Sequence, residues 1–155
     1  MGNRPVCCPY FFNQIAEFME IPENPGFTFL DILQVDVTTT LPGQRVRLGA
    51  MVEAAFATES QPATYTCRLT FRLVRSGFGT LTEADWHLVD FPKPPGITTV
   101  FRNLQNLTWT DVPGPPGTYT YILQVRRGTG IFEGNIEDIN VRARHLDAIV
   151  FPPQP

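Results

Sequence analysis

Three stretches of this chain alternate apolar and polar residues with a period of two. That is the signature of a strand with one face on a core and the other in water. In residues 44–56, Val46, Leu48, Ala50, Val52, Ala54 and Phe56 form one face, and Arg45, Arg47, Gly49, Met51, Glu53 and Ala55 the other. In residues 64–75, Tyr65, Cys67, Leu69, Phe71 and Leu73 oppose Thr64, Thr66, Arg68, Thr70 and Arg72. Residues 118–127 set Tyr119, Tyr121, Leu123 and Val125 against Thr118, Thr120, Gln124 and Arg126, with Ile122 alone out of step. Further strands are expected at residues 27–40, 86–90, 97–111 (two pieces meeting near Asn103), 135–143 and 145–151. Pro- and Gly-bearing turns such as Leu41-Pro42-Gly43, Ser76-Gly77-Phe78-Gly79 and Pro113-Gly114-Pro115-Pro116-Gly117 separate them.

About eight strands with no convincing helix between them predict an all-β fold, an antiparallel two-sheet sandwich of jelly-roll type. An immunoglobulin-like sandwich is the alternative, although Cys67 has no second strand cysteine to meet. The 15 prolines point the same way, because an interior proline removes a helix donor and clashes with the preceding turn. A length of 155 residues suits one domain, and 43% hydrophobic residues suffice for a core. The net charge of −3 gives no electrostatic reason to bind nucleic acid or an anionic membrane. No apolar run approaches the roughly 18 residues that span a bilayer as a helix. The first residues carry one basic side chain and no adequate apolar stretch, so no secretory leader is expected.

The chain is expected to divide into an N-terminal arm, residues 1–27, and a β domain, residues 28–155. In the arm, Phe11, Ile15, Phe18 and Met19 recur at helical spacing and predict a short amphipathic helix over residues 10–20. Such a helix would cap one end of its own sandwich or dock on a neighbouring subunit through Tyr10, Phe11, Phe12, Ile15 and Phe18. Burial of each phenylalanine ring, worth roughly 1.5–3 kcal/mol, favours either home.

The three cysteines are Cys7 and Cys8, adjacent in the arm, and Cys67 in a strand. They lack the spacing of a zinc site. An odd number leaves one thiol reduced or paired with another chain, and a vicinal pair is poorly shaped to bridge itself. His87 and His145 are the only histidines, and neither stands in a metal-ligand or nucleophile–base pattern. Glu133, Glu137 and Asp138 read as a solvated strand edge. No cofactor motif, no metal site and no enzymatic machinery are expected. A single lysine, Lys93, stands against 11 arginines, reading either as a surface packed against other protein or as a compositional preference.

The order Asp36-Val37-Thr38-Thr39-Thr40, Pro42-Gly43-Gln44-Arg45-Val46-Arg47-Leu48, then Tyr65-Thr66-Cys67-Arg68-Leu69-Thr70-Phe71-Arg72-Leu73 resembles the jelly-roll domains of spore-surface proteins from endospore-forming bacteria. So does Pro116-Gly117-Thr118-Tyr119-Thr120-Tyr121 followed by Val141-Arg142-Ala143-Arg144-His145-Leu146. The resemblance implies a structural subunit that assembles with copies of itself, and with other spore-surface proteins, without a leader peptide. In the appendage fibres of that group an N-terminal Cys-Cys connector enters a neighbour, which would pair Cys7 or Cys8 with Cys67 of the next subunit. This chain has no further arm cysteine and no C-terminal one. In the collagen-like exosporium group the jelly roll is a trimeric head, which implies the other reading, a module that binds carbohydrate or a surface protein.

Overall fold

The alternation in residues 44–56, 64–75 and 118–127 becomes three central strands, and the rest of the chain builds outward from them. The computed structural model describes residues 8–22, 28–128 and 134–154. Within them lie β1 (Tyr10–Ile15), β2 (Met19–Glu20), β3 (Leu30–Thr39), β4 (Arg45–Thr58), β5 (Thr64–Arg75), β6 (Gly79–Pro92), β7 (Val100–Asp111), β8 (Gly117–Arg127) and β9 (Ile136–Phe151). One sheet, sheet A, runs β1-β9-β4-β7, with β2 also on β9; the other, sheet B, runs β3-β8-β5-β6. Every pairing is antiparallel.

The hairpin-like partners β1·β9, β3·β8, β4·β7 and β5·β6 fall alternately in sheet A and sheet B. The chain is thus one long ribbon, folded back on itself at the β5–β6 turn and then rolled into two layers. That order is the jelly roll expected from the sequence.

The inward faces interdigitate in one core. Leu48, Val52 and Phe56 from β4 and Leu146, Ala148 and Val150 from β9 meet Leu69, Phe71 and Leu73 from β5 and Leu123 and Val125 from β8. At one end Phe56, Tyr65, Trp86 and Phe101 form an aromatic cluster with ring centroids about 5 Å apart.

The arm departs from expectation. Residues 10–20 form no helix; β1 is a strand hydrogen-bonded along β9, from Tyr10 opposite Ile149 to Ile15 opposite Arg144. Phe11 and Ile15 pack on the core and Tyr10, Phe12 and Gln14 point outward, so the effective period is two. β9 has an open edge there, and each of its unpaired backbone groups gains a partner by pairing with β1. The boundary placed at residue 27 therefore leaves two strands of sheet A on the arm side. Two other expectations merge: residues 100–111 are a single strand through Asn103, and residues 136–151 are one strand through a bulge.

Candidate functional site

The two sheets present unlike outer surfaces. On sheet B the outward side chains are tied to one another. Asp85 accepts from Arg68 at 2.8 Å and from Thr70 at 2.6 Å, and Arg72 donates to Gln124 at 2.7 Å. The Arg72 and Arg126 guanidinium groups lie 3.5 and 4.6 Å from the centroid of the Phe29 ring. Desolvation pushes the Asp85 carboxyl up, but the bonds from Thr70 and Arg68 outweigh it and hold it below the ordinary carboxylate range.

On sheet A the outward residues stand in rows set by the strand register. One row runs Phe12, Asp147, Gly49 and Thr108, and the next runs Gln14, His145, Met51 and Asn106. Tyr10, Ile149, Arg47 and Thr110 flank them on one side, and Glu53 and Leu104 on the other. Tyr10, Phe12 and Leu104 are each more than half exposed, at 54, 57 and 57%. Phe12 stacks between Tyr10 at 5.7 Å and His145 at 6.4 Å. His145 Nε2 lies 3.3 Å from Asp147 Oδ1. That carboxylate leans over Gly49, where a Cβ would come within 2.6 Å of Oδ1, so any larger residue there would push the Asp147 side chain aside. Glu53 has a loose 3.7 Å contact with exposed Arg102, whereas exposed Arg47 has no acidic partner among the described residues.

The edges differ as well. β7 pairs with β4 over twelve residues without a register shift, and β1 carries no charge in six residues. In sheet B, β3 is bulged and bears Asp31 and Asp36. β6, the other edge, breaks register with β5 twice and bears Glu83, Asp85 and Asp90.

The residues singled out from sequence do not converge. Cys7 lies outside the described residues. Cys8 is half-buried just before β1 in sheet A, while Cys67 is 1% exposed on the inner face of sheet B. A disulfide from a neighbour would have to reach into that core. Phe11 and Ile15 are half-buried on the core, and Tyr10, Phe12 and Phe18 are exposed.

Lys93 is internal, its Nζ donating to the carbonyls of Ser60, Pro94 and Ile97 at 3.1–3.3 Å. Arg144 likewise donates to the carbonyls of Ile32, Glu17 and Arg142, and Arg127 to that of Ile21. Part of the basic complement is thus spent on stapling backbone rather than on a covered surface. Among the described residues no group of three or more His, Cys, Asp or Glu is placed to hold a metal ion. The outward rows of sheet A and its unguarded edges escaped the sequence, because they depend on which strands are neighbours.

This arrangement defines an antiparallel jelly-roll sandwich in which one outer face ties many of its polar groups to one another and the other mixes exposed apolar rings and chains with polar and charged residues. Among solved structures, that of the infectious bursal disease virus Gx strain is similar in fold, with TM-score 0.50 and 10% identity over 96% of this chain. The VP2 subviral particle of the same virus follows at TM-score 0.47 and 12% identity over 96% of this chain. The chain spans just over a third of the length of these structures, 36 and 37%. No family model and no curated protein matches.

Proposed function

We propose that this chain is a structural subunit that assembles with copies of itself, and not a catalyst. The observation that carries the reading is the pair of unguarded edges on sheet A. A long, flat, uncharged edge strand offers a row of unpaired donors and acceptors to another chain, and monomeric proteins usually block it with charge, proline or a bulge. β3 and β6 in sheet B have such blocks, whereas β1 lacks them and β7 carries only Arg102 before the buried Asp111 at its end. The exposed apolar side chains beside these edges support the same reading. A spore surface as the place of assembly rests on the sequence resemblance alone.

The test is sedimentation velocity and negative-stain microscopy of the purified chain over a concentration series. Wild type is expected to form species larger than a dimer that grow with concentration. Gln105, on the inward face of β7 opposite Val52, accepts a guard charge: Gln105→Lys is expected to stop growth at a small discrete unit. A wild-type chain that stays monomeric at every concentration overturns the reading.

A further inference from the structure

We infer that the outer face of sheet A is two-fold self-complementary and receives a second copy of this chain, with Arg47 of each copy against Glu53 of the other. The inference rests on the self-assembly reading and names the geometry of one contact in it.

The argument follows from the rows. A two-fold axis lying between the two faces, perpendicular to the strands and passing over Ala50, reverses strand direction but leaves each strand facing its own counterpart. On β4, Arg47 then faces Glu53 of the second copy, and Gly49 faces Met51. On β9, Leu146 pairs with Ala50, so His145 faces Asp147. All three pairs are complementary. Arg47 has no acidic partner in its own chain among the described residues, and Glu53 has only the loose contact with Arg102. Because the Asp147 carboxylate is pressed onto Gly49, the face is low where the Met51 side chain of the second copy arrives. His145 already lies beside its own Asp147, so two imidazoles and two carboxylates alternate around the axis.

Neighbouring registers lack this match. Sliding the second copy by two residues brings Asp147 onto Asp147 in one direction and His145 onto His145 in the other, and both part Arg47 from Glu53. Three strands of about a dozen residues and the six of β1, at about 4.8 Å spacing and about 3.3 Å rise, make a face of roughly 670 Å². That is close to the roughly 800 Å² each partner gives to a stable interface. Stacked sheets pack about 10 Å apart with strands within about 30° of alignment, within reach of an Arg–Glu pair near the axis. The isologous contact leaves the edges β1 and β7 open on both copies, so the pair remains able to grow.

The experiment is charge reversal in the Gln105→Lys background, read by sedimentation equilibrium, with thermal melts to confirm that each variant folds. Growth joins β7 of one copy to β1 of the next, so blocking β7 leaves β1 without its partner and Gln105→Lys is expected to be a dimer. Arg47→Glu and Glu53→Arg are each expected to weaken the dimer at least tenfold, and Arg47→Glu with Glu53→Arg together to restore it. Single reversals that leave the dimer intact, or a double reversal that does not restore it, overturn the face pairing. If wild type still grows with concentration in that case, the self-assembly reading stands without it. A wild type that stays monomeric throughout overturns both.

Discussion

Arg75 and Asp111 meet at 2.7 Å with about nine-tenths of each side chain out of water, and the Tyr121 hydroxyl donates to the same carboxylate oxygen at 2.8 Å. Burial, with Asp111 adding to it, pushes the Tyr121 phenol far above its ordinary range, so the hydroxyl remains a donor at any pH the fold tolerates. A buried pair is costly to break and cheap to replace. Arg75→Met alone should cost about 3–5 kcal/mol in urea unfolding, because it strands a buried carboxylate. Adding Asp111→Leu should recover most of that loss, and a double variant no better than the single would refute this account. On sheet B, Asp85 is partly exposed and its effect is correspondingly small. Its carboxyl is depressed in the folded chain, so it stabilises the fold above the ordinary carboxylate value of about 3.9 and loses that contribution as pH falls through its folded value. The melting-temperature gap between wild type and Asp85→Asn should therefore be open at neutral pH and close in strong acid; a gap that widens in acid reverses the sign.

Among the elements, legibility tracked how far each strand obeys one parity. β4, β5 and β8 keep apolar side chains inward at every second position and are readable as they stand. From sequence β9 reads as two strands because its register with β4 shifts between Val52 and Ala54, which changes parity around Arg142 and Ala143. From sequence the arm reads as a helix because Phe11, Ile15, Phe18 and Met19 fit a period of 3.6. What decides for a strand is tertiary: the open edge of β9, the bond from Asn13 Nδ2 to the Gln34 carbonyl at 2.9 Å, and the Arg144 and Arg127 bonds to the carbonyls of Glu17 and Ile21. Beyond β2, Ile21 is fully buried in the common core and donates its N–H to the Ile139 carbonyl. The segment is therefore part of the fold. Ile21→Ala should cost about 2–5 kcal/mol in global unfolding, the range for a core truncation. A detachable appendage would show a loss under about 0.5 kcal/mol, and that result would restore the arm as a separate unit.

At the scale of the whole molecule, strand order is the least legible property, since it joins residues as far apart as Tyr10 and Ile149. No local pattern encodes such a pairing; only the rolled ribbon does. The same separation orders folding. The β5·β6 pair closes across the short Ser76–Phe78 turn, then β4·β7, β3·β8 and β1·β9 enclose progressively longer loops, each with a larger closure entropy. Such non-local topology belongs with domains that fold in milliseconds to seconds. Stopped-flow chevrons should show Leu69→Ala and Leu73→Ala on β5 slowing folding, with φ-values above about 0.5. Ile15→Val on β1 should leave the folding rate nearly unchanged and speed unfolding instead. A β1 variant that slows folding as much as the β5 variants would mean that the outer pair forms early. If it closes last, Tyr10 and Phe12 reach the outer face of sheet A only after the core is complete. Assembly through that face then selects folded chains, which protects an aggregation-prone edge during folding.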